Sequence, residues 1–305
     1  FFMLSLGFFN GLGNFRAYNV SRLTYYVLYM PLILLIYMIS GNALFAFVGA
    51  NFLSVYGALA VAVSLVGSKY WHLGRNIARE TFDDAMRLAR RAVSFVGPAV
   101  LGMAAGMLYQ LILAETANMV MLGVAVVYVS YSRLLSVVGS AVNVKIFHAS
   151  IIGDDRSFPT RFRVSMLMYL FGGLVLLIAA PYAVALIYGA SFADNIVAAQ
   201  VLIVSSVLAT GADILSEHLK GKRMNAADGV GYVTYILGMA LVAILTMQYY
   251  GLLAVALAMT VGDALRLTYL ARHVSHISGR PIREFFLIRR EDVRYLSKRF
   301  ASFVR

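Results

Sequence analysis

Long apolar stretches separated by short polar ones set the rhythm of this 305-residue chain. A bilayer core of roughly 30 Å needs about 20 mostly apolar residues in a helix to cross it. Windows of that kind fall at residues 23–40, 43–66, 92–114, 117–142, 164–187, 196–216, 230–248 and 251–271. The pattern predicts an all-α polytopic membrane protein with eight complete transmembrane helices. Residues 1–12, FFMLSLGFFNGL, read as the end of a further, partial span. The opening Phe1, in place of methionine, marks the chain as an expected fragment or processed product.

One polar connection is longer than the others. In GRNIARETFDDAMRLARRAV, residues 74–93, Phe82, Met86, Ala89 and Val93 recur at helical spacing among arginines and carboxylates. That pattern suits either a basic amphipathic helix on the membrane surface or an extension of the span that follows. On both readings it is the best candidate for a boundary between two helical bundles.

Composition fixes the solvent. The chain is 61% hydrophobic and 13% charged, with a mean hydropathy of +0.79. Ordinary globular chains carry about 25% charged residues, so this one has too little polar surface to coat itself in water. Cysteine is absent, which excludes a disulfide framework and thiolate metal sites.

The net charge of +12 reads as orientation. Twenty-four of the 26 basic residues fall in alternate connections and in the C-terminal tail, while the opposite connections contain none. By the positive-inside rule the basic side is cytoplasmic, so both ends of the chain are expected there, in a multi-pass plasma-membrane protein. Attraction to anionic membrane lipids is a secondary role of these residues. Nucleic acid is not an expected partner, because no soluble module interleaves the basic residues with stacking aromatics.

Small residues suggest close helix packing. Gly102 to Gly106 read GMAAG, and Ala254, Ala258 and Gly262 lie four apart, spacings that let backbones approach in lipid. Pro31, Pro98 and Pro181 fall within or near spans and can bend them.

The charges inside spans carry the candidate chemistry. Arg133 sits within residues 117–142, about 16 Å from the cytoplasmic end at a helical rise, beyond comfortable snorkelling reach. Its burial costs on the order of 3 kcal/mol. Arg133, Ser136, Ser140 and Asn143 share one helix face, which should look into the bundle rather than at lipid. Two readings stand: a guanidinium awaiting an anion, which its planar fork suits, or a permanent ion pair with a carboxylate such as Asp213.

A second stripe holds Ser206, Thr210, Asp213 and Glu217. Its carboxylates are candidates for coupling to H+ or Na+, or they simply reach cytoplasmic water. Asp263 and Arg266, three residues apart, are expected to neutralise each other. Asp263 also joins the ion-coupling candidates, and Arg266 is a second candidate cation if a cavity exists.

No P-loop, HExxH or GxSxG is present, no cofactor or metal is expected, and the histidines lack metal-ligand spacing. No enzyme activity is expected. The pattern Asn19-Val20-Ser21 falls on the cytoplasmic side and is set aside as a glycosylation acceptor.

From Pro181, the segment PYAVALIYGASFADNIVAAQVLIVSSV resembles a landmark of the polysaccharide and O-antigen lipid flippases, whose superfamily includes multidrug and toxin extrusion transporters. The resemblance rests on Leu186-Ile187-Tyr188-Gly189, Phe192 and Ala198-Ala199. Tyr250 to Ala258 resembles a late glycine-led span of that family, and residues 92–163 its span seven to eight region. The resemblance implies the fifth to twelfth spans of a twelve-span, two-lobe transporter. Residues 1–73 would then end an incomplete first lobe, 74–91 link the lobes, 92–272 form a six-helix C-terminal lobe, and 273–305 form a basic cytoplasmic tail.

It further implies alternating access and a polyprenyl-pyrophosphate-linked oligosaccharide as substrate, with Arg133 and Arg266 as candidate cations. Three alternatives remain, one of them a non-transporting membrane scaffold, which would tolerate loss of every buried charge. An ion-coupled exporter of cationic compounds would depend on the carboxylates instead. A membrane glycosyltransferase or polymerase would need a sizeable outward loop, which the short outward connections do not supply.

Overall fold

The computed structural model describes residues 15–41, 45–46, 49–58, 60–61, 64, 82–116, 119–153, 155–192, 194–287, 289 and 292. Expectations for residues 1–12, for 74–81 of the linker, for His72 and for the tail beyond 292 lie outside them. Among the described residues there is no strand, and six helices are long and apolar enough to cross a membrane. This is the build of a multi-pass, all-α membrane protein.

The chain divides into two compact units, Phe1–Ala89 and Arg90–Arg305. In the first, helix α1 (Phe15–Ser40) carries Pro31 internally and exposes Leu34, Leu35, Met38 and Ile39. Residues 49–58 are helical, and Ala46, Ala50, Ser54 and Ala58 are buried at four-residue steps. Small side chains there admit α1 closely: a Cβ on Gly57 would lie 2.5 Å from Leu28, and Tyr25 Oη donates to Asn51 Oδ1 at 3.2 Å. The described parts of the expected 43–66 span are helical.

The second unit contains α2 (Phe82–Thr116) from Arg90 onward, α3 (Met119–Ser132), α4 (Leu134–Ile151), α5 (Phe158–Tyr188), α6 (Ile196–Gly221), α7 (Asn225–Tyr250), α8 (Leu252–Ser278) and the short α9 (Arg283–Phe286). The described part of the 74–93 segment is continuous with α2, in keeping with the extension reading.

Helices α6 and α8 bury half of their residues, whereas α5 and α7 bury far less. The reason is in their side chains. Ser205, Thr210, Asp263 and Arg266 cannot face acyl chains cheaply, so their helices take the centre. Leu170, Phe171, Leu174 and Ile178 of α5, and Leu237, Leu241 and Ile244 of α7, are exposed, as a lipid-facing surface requires.

The expected small-residue seam is present on α8: Ala254 and Ala258 are fully buried, and a Cβ on Gly262 would come within 2.9 Å of the Tyr235 carbonyl oxygen. Gly251 joins α7 to α8 in a single residue with φ +52° and ψ −118°, a conformation suited to glycine.

The expected continuous span 117–142 is a correction. It is two helices, α3 and α4, parted at Arg133. There the Ser136 N–H donates to the Arg133 carbonyl at 2.9 Å, a three-residue step, and the Ser136 hydroxyl donates to the same oxygen at 2.7 Å. The Ser132 carbonyl accepts the Ser206 hydroxyl of α6 at 2.8 Å. Irregular backbone at membrane depth persists where neighbouring hydroxyls supply partners in this way.

After α8 the chain turns back, burying Phe285 against Phe158 and Phe162, while Phe286 meets the Phe162 ring edge-on. Arg163, at the start of α5, grips Asp292 with two hydrogen bonds of 2.7 and 2.8 Å.

A candidate binding cavity

Six helices and the Arg133 turn line a cavity of about 350 Å³. Its formation follows from local sequence. Gly102, Ala105 and Gly106 of α2 leave room on one side, and a Cβ on Gly106 would meet nothing within 4 Å. Ser205, Ser206, Thr210 and Asp213 of α6 line another wall. Tyr232 and Tyr235 of α7 and Asp263 and Arg266 of α8 complete it, with Arg133, Ser132 and Ser136 opposite.

Sequence reasoning nominated five charged residues, and four of them meet here: Arg133, Asp213, Asp263 and Arg266. Glu217 does not line the cavity. It pairs with Lys220 at 3.0 Å. Of the stripe expected on α4, Ser136 lines the cavity and Asn143 does not, while the Ser140 side chain lies outside what is described.

The two arginines are held in opposite ways. Arg266 is 4% exposed and bonds to Asp213 at 2.8 Å and to Asp228 at 3.4 Å. Its guanidinium carbon stands 3.9 Å above the Tyr232 ring, a cation–π geometry. Asp228, fully buried, also accepts the Ser216 hydroxyl at 2.7 Å and faces Lys220 at 3.4 Å. Arg266, Lys220, Asp213, Asp228 and Glu217 thus form one charge network across α6, α7 and α8. Two expectations are corrected by it. Asp213 pairs with Arg266 rather than Arg133, and Arg266 reaches across to other helices rather than along its own helix to Asp263.

Arg133 has no side-chain hydrogen bond or ion pair with any described residue. It is exposed, and it lines the cavity. Its nearest electrostatic neighbours include Asp263, which is 5% exposed and accepts a 2.6 Å hydrogen bond from Ser205. A guanidinium with five free donors beside a mostly neutral polar wall can bind an oxyanion in a bidentate fashion.

The sequence reading missed Asp228, Lys220, Ser205, Tyr232 and Tyr235. Asp228 lies two residues before the expected start of its span, where a carboxylate looks solvated. The four-residue step from Asp228 to Tyr232 was the available signal.

Among the described residues no cluster of histidine and carboxylate ligands fits a metal. Ser150 Oγ and His218 Nδ1 share a 2.7 Å hydrogen bond, and Phe158 stacks on the His218 ring at 3.8 Å, so that histidine is a packed core residue. Comparison of the chain with family models, with curated proteins and with solved structures finds no match.

Proposed function

We propose that this chain is part of a transporter that carries an anionic, lipid-linked oligosaccharide across the plasma membrane by alternating access. The single observation supporting this is the guanidinium of Arg133, unpaired among the described residues, in a polar cavity inside an apolar helical unit. A cation held within the span of an apolar helical unit, with no ion-pair partner among the described residues, is costly. Its retention makes sense if a phosphate-type oxyanion completes it during a working cycle. A cavity of about 350 Å³ accommodates a diphosphate headgroup and little more, which suits a substrate whose sugars and acyl tail extend beyond it.

In this reading the chain supplies eight spans of a two-lobe protein, with both ends cytoplasmic, and no catalytic group is required. The flippase resemblance of the segment from Pro181 supports the same substrate class. Arg266 is released from the role of substrate cation, because two carboxylates already satisfy it. Asp263, with one neutral donor and Arg133 nearby, is the coupling candidate.

Replacing Arg133 by Ala is expected to abolish export of the lipid-linked sugar while membrane insertion is unchanged. Loss of a charge-assisted contact of this kind weakens anion binding roughly ten- to a hundred-fold. Unchanged export would remove Arg133 from the mechanism. A second reading, export of cationic compounds coupled to an ion, draws support from Asp213 and Asp263 on the cavity wall. It predicts the reverse dependence, with Asp263→Asn inactive and Arg133→Ala active.

A further inference from the structure

The segment that follows α8 combines three features. It is anchored to the unit by Phe285, which is 1% exposed, and by the buried Arg163–Asp292 pair. It turns apolar side chains outward: Ile282, Phe286 and Leu287 are 39%, 42% and 60% exposed. Arg272 near the end of α8, and Arg280 and Arg283 after it, make no side-chain hydrogen bond or ion pair with described residues. By contrast Arg289 is engaged, with Glu284 at 3.2 Å.

Position decides what such a surface meets. α8 is apolar enough to cross the membrane, so the chain that leaves its end lies where the acyl region gives way to headgroups. Outward apolar side chains next to free cations are the chemistry of that boundary. The apolar groups enter the outer acyl layer and the cations meet lipid phosphates. Held rigidly by the Arg163–Asp292 clasp, the segment presents this surface without first having to order itself.

We infer that residues 272–287 form a docking surface for anionic lipid headgroups, with Ile282, Phe286 and Leu287 inserted and Arg272, Arg280 and Arg283 on the phosphates. This stands apart from the transport reading and survives its failure.

The chain contains no cysteine, so Leu287→Cys gives it one site for an environment-sensitive fluorophore. In vesicles of phosphatidylcholine mixed with phosphatidylglycerol, the label is expected to shift to the blue and to be quenched by a headgroup-level nitroxide lipid. Added salt should weaken both effects. Short-chain phosphatidylglycerol titrated into the detergent-solubilised protein should saturate the same signal. Each of Arg272→Gln, Arg280→Gln and Arg283→Gln should raise the apparent Kd roughly five-fold. Short-chain phosphatidylcholine should leave it unsaturated.

A label at Leu174→Cys on α5, exposed in mid-helix, reports insertion and should be indifferent to phosphatidylglycerol. If Leu287→Cys disturbs the clasp, Ile282→Cys carries the same label with the same expectation. A water-like emission in both lipids, or a phosphatidylglycerol response that survives loss of the three arginines, would overturn the inference.

Discussion

The cavity has two arginines, and the surroundings of each give it a different job. Around Arg266 the walls are closed: two carboxylates, a tyrosine face and a lysine one step away leave the guanidinium 4% exposed. Around Arg133 the helix tightens into a three-residue step, serines flank the turn, and no described carboxylate bonds to the guanidinium. One region spends its charge on holding three helices together, and the other keeps its charge available. The difference teaches that an intramembrane arginine becomes a binding group or a strut according to which carboxylates the other helices bring to it.

The largest expected effect breaks the closed region. Arg266→Leu takes the cation from Asp213 and leaves buried Asp228 with Lys220 alone, and should destabilise by about 3–5 kcal/mol. Arg133→Leu removes no partner and should cost less than about 1 kcal/mol. Thermal unfolding of both variants in one detergent measures the contrast, and equal losses would erase it. Next, Arg266→Leu combined with Asp228→Leu should recover about 1–3 kcal/mol relative to the summed single losses, because no lone charge is left buried. Strict additivity would mean the 3.4 Å contact is idle.

Packing gives a parallel pair. Gly262→Ala drives a methyl to 2.9 Å from the Tyr235 carbonyl oxygen and should cost about 1–3 kcal/mol. Gly106→Ala points into open space and should stabilise by up to about 1 kcal/mol through helix propensity. A loss at Gly106 equal to that at Gly262 would contradict the open wall.

The smallest effect concerns the C-terminal clasp. Burial alone raises the Asp292 carboxyl, but hydrogen bonds from Arg163 and from the Arg289 amide, with both guanidinium charges, hold it below the usual carboxylate range. A depressed carboxylate contributes fully above its ordinary value of about 3.9 and loses its contribution as pH falls through the lowered value. Protease resistance of the segment should therefore be constant from about pH 5 to 8. Asp292→Asn should lower it throughout that range. A wild-type transition between pH 5 and 8 would exclude this account.

Much of the fold was legible because the chain's solvent is lipid. Apolar length marks a span without reference to any other part of the molecule, and polar residues on α6 and α8 mark the inward helices. The seam of Ala254, Ala258 and Gly262 was readable for the same reason, since small residues at four-step spacing describe one face of one helix.

The candidate site was legible only as a roster. Arg133, Asp213, Asp263 and Arg266 stand out as costly, yet their pairing was misjudged because i to i+3 proximity was the sole geometry the sequence offered. Asp228 escaped notice because solvation and burial look alike two residues outside a span. The break at Arg133 was invisible for a related reason: Ser206 on another helix supplies the hydrogen bond that makes it tolerable.

The sequence by itself determined that the chain must be helical, must live in a membrane and must hide a few charges, because those constraints act on each segment alone. Only the tertiary structure decided which charge is satisfied and which is left open. Pair energies at these distances depend on partners supplied by helices 38 to 53 residues away along the chain, and no local pattern encodes that meeting.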